Sequence, residues 1–202
     1  MQLKSLNLIL HHSLQEYSLT HALMKQRVNQ PHHEDCCWIL QHKPIITIGP
    51  RTPQKDYINS RIPIIRTDRG GLATYHGPGQ WIVYFMIDLT QQSMNIIDMV
   101  GEIEQFIIEV LREINIDAYA KKEDRGVYVS HRKIASVGLR ARNNISYHGL
   151  AINTNMDLSP FSDIYPCGKK RLMTQIKDEQ PQFDCHLLPD ILIKHIHNLL
   201  MY

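Results

Sequence analysis

The spacing of apolar positions changes several times along the chain, and each change marks an element. Residues 14–28 have helical spacing, weakly: Leu14, Tyr17, Leu23 and Met24 stand among polar residues. A polar loop with Pro31, His32 and His33 follows. Residues 37–40 and 45–48 read as two short strands around a Lys43-Pro44 turn. Residues 50–59 are polar and read as a loop. Residues 62–66 read as a strand, and Pro63, which cannot donate to a ladder, places it at an edge. Residues 81–87 are apolar on both alternating faces, as in a central strand covered on both sides. Residues 95–114 carry the clearest helix. Ile96, Val100, Ile103, Ile107, Leu111 and Ile114 recur at three or four residues, with Glu102, Glu104, Glu109 and Glu113 between them.

Beyond that helix the period shortens. Residues 127–129, 133–139 and 147–153 read as three strands, with Asn143-Asn144 as a tight turn, giving an antiparallel meander. Residues 190–200 close the chain as a helix, with Asp190 as N-cap after Pro189. Strands and helices mix without regular strand–helix–strand alternation, so the fold class is α+β, or α/β with a mixed sheet. With 202 residues and no internal repeat, residues 1–202 are expected to form a single domain.

Composition narrows the function classes. A chain 43% hydrophobic and 21% charged is an ordinary soluble globular one. A net charge of +2 is too weak to argue for nucleic acid. The N-terminus lacks a signal-peptide core with a cleavage site, and no run approaches the roughly 18 apolar residues of a membrane span. A cytoplasmic, reducing location is therefore expected, with Cys36, Cys37, Cys167 and Cys185 as free thiols. No C-x-x-C pair occurs, and His11-His12, His32-His33 and His195-x-His197 lack the i, i+4 spacing that puts two ligands on one helix face, so no metal site is expected.

Four stretches can carry chemistry. The first is RGGLATYHGPGQ, residues 69–80. Its glycines allow close approach to main-chain amides, Arg69 can anchor an acidic group, and His76 can exchange a proton near neutral pH. The bland alternative is a glycine-rich hairpin with a surface arginine. No phosphate loop or G-x-G-x-x-G is present. The second is Cys167, held between Pro166 and Gly168 on a turn whose exposure suits a nucleophile; a structural thiol is the alternative. The third is Lys133, which in a strand shares a face with Ala135 and Val137 and either snorkels to water or is tuned for chemistry, residue type alone favouring the former. The fourth is His148 in HGLAIN, which residue type alone assigns to packing at a strand start. Cys36 and Cys37 lie in an apolar run beside Trp38 and are expected to pack, and the neighbouring Asp184 disfavours a thiolate at Cys185.

Together these blocks resemble the octanoyltransferases of lipoate biosynthesis. The resemblance rests on RGGLATYHGPGQ at residues 69–80, KIASVGLR at 133–140, HGLAIN at 148–153, MDLSPF at 156–161 and PCG at 166–168, in the family's order and over most of the chain. One departure is Tyr84-Phe85, where the family often has Tyr-Pro. The resemblance implies the fold of lipoate and biotin protein ligases, a large mixed sheet plus a smaller sheet with flanking helices. It implies octanoyl transfer from octanoyl-acyl carrier protein to a specific lysine of lipoyl domains, those of 2-oxoacid dehydrogenases and of glycine cleavage H protein, with no cofactor. It assigns an acyl-cysteine intermediate to Cys167, with Lys133 as partner. It maps acyl contacts onto Arg69, Gly70, Gly71, Leu72, Ala73, Thr74, Tyr75 and His76, onto Ser136, Val137 and Gly138, and onto Gly149, Leu150 and Ala151, with His148 in support. Small residues such as Gly70, Gly71, Gly138 and Ala151 are expected to open an apolar slot. Lys169, Lys170 and Arg171 are expected to help dock acidic partners. An ATP-dependent lipoate–protein ligase, an amidotransferase between lipoyl domains and a non-catalytic acyl-binding module remain as alternatives. Lys133 does not separate the ligase from the transferase, whereas Cys167 does.

Overall fold

The computed structural model describes residues 6–31, 33–53, 61–164 and 172–199. Its elements are β1 (Asn7–Gln15), α1 (Tyr17–Val28), β2 (Cys36–His42), β3 (Ile45–Ile48), β4 (Ile64–Arg66), β5 (Ala73–His76), β6 (Gln80–Met86), α2 (Ile96–Glu113), β7 (Tyr119–Ala120), β8 (Val127–Val129), β9 (Arg132–Arg142), β10 (Ile145–Asn153), α3 (Ile176–Glu179) and α4 (Leu188–Leu199). Seven strands form one mixed sheet in the order β1-β2-β6-β10-β9-β8-β7, and β4-β3-β5 form a small second sheet. In the large sheet β1 runs parallel to β2 and the other neighbours pair antiparallel. The expected architecture, a mixed sheet with a smaller sheet and flanking helices, is the one observed.

The large sheet is covered on both faces. Helix α2 starts where the Asn95 side chain accepts from the Ile97 and Asp98 amides and the Asp98 carboxylate accepts in turn from the Asn95 amide, a reciprocal cap that satisfies otherwise orphaned donors. Its apolar stripe, including Ile103, Ile107 and Leu111, packs with Leu192 and Ile196 of α4 against Val83, Phe85, Leu150 and Ile152. Burying each such side chain stabilises the fold by about 1.5–3 kcal/mol. On the opposite face Met24 and Val28 of α1 meet Ile82, Tyr84 and Met86. Strand β6 thus lies between two cores, which is why its sequence lacks alternation.

Several elements differ from expectation for identifiable reasons. Strand β1 occupies residues that lack period-2 patterning, because it is an edge strand whose side chains are exposed or half-buried, none fully buried. Helix α1 accordingly starts later, at Tyr17. Strands β2 and β3 do not form a hairpin: Lys43-Pro44 carries the chain from the large sheet to the small one. The turn after β5 carries it back to β6, so residues 69–80 are a crossover rather than a hairpin. Strand β4 does lie at a sheet edge, as Pro63 requires. Asn143 (φ 51°) and Asn144 (φ 62°) form the tight turn between β9 and β10, both in the left-handed region that such two-residue loops need. Helix α4 begins at Leu188, so Asp190 lies in its first turn instead of capping it. Among the described residues, no helix is long and apolar enough to cross a membrane.

Candidate active site

A cavity of about 440 Å³ opens between the crossover 69–76 and strands β9 and β10. Arg69, Gly70, Gly71, Leu72, Ala73, Thr74 and His76 line one side. Lys133, Ser136, Val137 and Gly138 from β9, with His148, Gly149, Leu150 and Ala151 from β10, line the other. Ile82, Tyr84, Val100, Phe161 and Ile164 add apolar surface. Tyr75 is the exception among the expected acyl contacts. It points to the far face of β5, where its ring packs edge-on against Phe161 in the small-sheet core, 5.6 Å between centroids.

Residues 69–71 lie directly on β9. The Gly70 amide donates to Leu139 O at 3.1 Å. A Cβ on Gly70 would sit 3.0 Å from Leu139 O, and one on Gly138 would sit 3.0 Å from Gly70 O. These two glycines therefore bring main chains together, and both line the cavity with Gly71 and Ala151.

Arg69 is buried, and its guanidinium does not wait for an anion. Nε and Nη2 donate to Thr47 Oγ1 at 3.1 and 2.9 Å, Nη2 donates to Thr47 O at 2.7 Å, and Nη1 donates to Gly70 O at 2.9 Å. The side chain is a strut between the small sheet and the glycine loop. His76 likewise differs from the near-neutral proton carrier expected. Burial, then the neighbouring His42 and Arg69, push it down to about 3, so its ring is neutral. Nδ1 donates to Gln80 Oε1 at 2.7 Å, and Gln80 Nε2 donates onward to Asn153 Oδ1 at 2.9 Å. His42 is pushed down to about 4 by burial, and its Nε2 accepts from the Tyr84 hydroxyl at 2.8 Å.

His148 takes an unusual backbone for a non-glycine residue, φ 64°, which turns its ring toward Asp68. Asp68 Oδ1 accepts from Nε2 of His148 and of His21, both at 2.9 Å, and Oδ2 accepts from the Tyr147 hydroxyl at 2.9 Å. Lys25 Nζ lies 3.6 Å from Oδ2. Burial acts to raise the Asp68 carboxyl, but the bonds from His148, Tyr147 and His21 outweigh it and hold it well below the usual carboxylate range. Burial holds His148 itself down, to about 4. The ligand atoms of His21, Asp68 and His148 lie within 4.8 Å of one another, a grouping wide enough for a metal ion and invisible in sequence spacing. Both Asp68 oxygens already accept N–H or O–H donors, so hydrogen bonding accounts for the cluster. It ties α1, the crossover and β10 together at one end of the cavity.

Lys133 lies at the other end. It does not snorkel: its side chain is 7% exposed. Nζ donates to Arg125 O at 2.7 Å and to Asp124 Oδ1 at 3.3 Å, and it stands 5.2 Å from the Tyr128 ring centre. The Lys133 amide donates to Leu172 O at 2.9 Å, and Thr174 N donates to Lys133 O at 3.0 Å. Ile164 and Met173 line the same cavity. Cys167, with Pro166, Gly168 and the basic run Lys169, Lys170 and Arg171, lies outside the described residues, as do His32 and residues 54–60. Cys36 and Cys37 are buried packing thiols. The half-buried Cys185 is pushed up mainly by burial, with Asp184 adding to it, so a thiolate is disfavoured there.

The residue-level reading missed Asp68, His21, Tyr147, Asp124, Arg125 and Glu104. Only Glu104 leaves a mark in the sequence. Four residues after Val100 and three before Ile107, it is a carboxylate on the apolar stripe of α2.

Comparison with known proteins supplies the family. Residues 12–197 match the lipoyl protein ligase A/B catalytic domain. The octanoyltransferase of Buchnera aphidicola subsp. Acyrthosiphon pisum (strain APS) is 46% identical over 168 residues, 82% of this chain and 80% of its own length. Among solved structures, a lipoate-protein ligase A bound with ATP superposes with a TM-score of 0.79 at 18% identity, over 96% of this chain and 85% of the other. The biotin protein ligase of Aquifex aeolicus superposes at 0.57 and 14% identity, over 96% and 68%. The two structures agree in fold, and the sequence match runs nearly the whole length, so the chain belongs to the lipoyl protein ligase A/B catalytic domain family and, within it, to the octanoyltransferases.

Proposed function

We propose that the chain moves an octanoyl group from the phosphopantetheine thioester of an acyl carrier protein to a lysine of a lipoyl domain, through an acyl thioester on Cys167, with Lys133 carrying the proton. The observation that carries this reading is the place of Lys133. Its amine is buried at the cavity, and its main chain pairs with residues 172–174, which follow Cys167 closely in sequence. The chain enters the intervening stretch at Ile164, a cavity residue. Cys167 follows Ile164 by three residues, a chain length of at most about 11 Å.

The chemistry follows from these groups. A free thiol near pKa 8.5 is only a few per cent thiolate at pH 7. Neutral Lys133 takes the Cys167 proton, and the ammonium beside the sulfur favours the thiolate. The thiolate attacks the thioester carbonyl. Pantetheine leaves as thiolate and takes the proton from Lys133, leaving octanoyl-Cys167 and a neutral amine. The acceptor lysine then attacks the acyl-enzyme and gives a proton to Lys133. Cys167 leaves as thiolate, restoring the ion pair. The proposed oxyanion donors are main-chain amides of the cavity wall other than that of Gly70, which Leu139 O takes up. A thioester is already activated, so no adenylate is needed.

Incubation with octanoyl-carrier protein, followed by intact mass and peptide mapping, tests this reading. An octanoyl adduct on Cys167 is expected. An adduct elsewhere removes the nucleophile assignment, and ATP-dependent transfer from free octanoate points to the ligase instead. Lys169, Lys170 and Arg171 follow Cys167 immediately and suit acidic partners; unchanged turnover at low salt after reversing their charges would remove the docking role.

A further inference from the structure

Helix α2 buries a carboxylate. Glu104 is 3% exposed, flanked by Ile103 and Phe106 of the core. A buried charge needs strong partners, and both partners of Glu104 lie on the turn before β8. Oε2 accepts from Arg125 Nη1 at 2.8 Å, and Oε1 accepts from the Gly126 amide at 2.7 Å. That amide belongs to the same peptide group as Arg125 C=O, whose oxygen accepts from Lys133 Nζ at 2.7 Å. Because a peptide unit is planar, gripping its N–H fixes the direction of its C=O. A carboxylate on the N–H also polarises the unit and makes the oxygen a stronger acceptor. Gly126 has φ 130°, and a Cβ there would sit 3.0 Å from Lys133 Cε and 2.6 Å from Ala135 O, so the turn is fitted tightly around the lysine stem.

The geometry points to Glu104 as a positioning residue for octanoyl transfer, acting on Lys133 through the Arg125–Gly126 peptide group. This inference rests on the proposed role of Lys133. The charged groups facing Lys133 from the same turn are Asp124 and Arg125, and Glu123 lines the cavity beside them. Asp124 contacts the amine directly, whereas Glu104 sets the carbonyl that aims it.

The test compares Glu104→Ala, Glu104→Gln and Lys133→Ala by octanoyl transfer kinetics and by the pH dependence of Cys167 alkylation in the full-length chain. Glu104→Ala is expected to lower kcat about 10- to 100-fold, the cost of a misplaced reacting group, with KM for the octanoyl carrier protein little changed. The alkylation midpoint moves to higher pH. Glu104→Gln keeps an acceptor for the Gly126 amide and shifts both readouts less, in the same direction. If the alanine variant fails to fold, the glutamine variant decides. In a Lys133→Ala background, Glu104→Gln is expected to add no further shift. A wild-type pH profile and kcat in the folded Glu104 variants, while Lys133→Ala shifts the profile, overturns the inference and leaves the Lys133 reading standing. A profile unmoved by Lys133→Ala overturns that reading itself.

Discussion

Two polar clusters face one cavity on opposite plans. Around Asp68, donors from α1 and β10 converge on a carboxylate until both oxygens are occupied. Around Lys133, an amine donates to the Arg125 carbonyl and to the Asp124 carboxylate. The first arrangement is closed and mechanical: it fixes where the walls stand. The second leaves the lysine its exchangeable protons. The buried histidines among the described residues, of which His76 alone reads as a proton carrier in the sequence, belong to the mechanical side. His42, His76 and His148 are neutral rings spent on hydrogen bonds.

The sharpest way to break this comparison is at the sulfur. Cys167→Ser is expected to abolish the octanoyl adduct seen by intact mass after incubation with octanoyl-carrier protein. Next comes Lys133→Ala, with transfer down about 10²- to 10⁴-fold, the range of a lost general acid–base group. The deficit should narrow as pH rises and the thiol ionises unaided, and a deficit independent of pH would count against proton transfer by Lys133. Acid probes the closed side. The three histidines lie at about 3 to 4 in the fold against an ordinary value of 6.5. The unfolded chain therefore binds more protons below pH 6.5, so their contribution is complete above that value and is lost as pH falls toward 4. Urea midpoints should begin to drop just below pH 6.5, before most carboxylates titrate; a flat profile from pH 7 to 5.5 would contradict the neutral assignment. The smallest effect is expected for Asp68→Asn. Weakening charge-assisted bonds costs about 2 kcal/mol, or about 4–8 °C in Tm, and thermal denaturation should show it while Cys167 alkylation keeps its pH midpoint.

Elements with strong local signals could be read directly. Helix α2 announces itself by stripe and cap, and β6 by an unbroken apolar run between two cores. The crossovers could not be read, because Lys43-Pro44 looks the same whether the next strand stays in its sheet or leaves it. The glycine wall was assigned through family resemblance, since glycine content alone fits a hairpin equally well. The Asp68 cluster joins residues 47 to 80 positions apart through single side chains, and no periodicity records that. Nor does sequence show that Arg69 spends its donors on Thr47, because type and position suit an anion anchor just as well. Glu104 was visible as a charge on an apolar stripe, but its meaning depends on a turn some twenty residues away.

The contact of Gly70 and Gly138 bears on how the enzyme can be redesigned. Main chain forms that stretch of the cavity wall, and no exchange of side chains thins it. A Cβ at either position would press on the opposing main chain at 3.0 Å, which would have to give by a few tenths of an ångström. Side chains, by contrast, build the wall at positions such as Ile82, Leu150, Phe161 and Ile164. A library that holds both glycines fixed and varies those four positions is expected to change the shape of the cavity while leaving that main-chain contact in place.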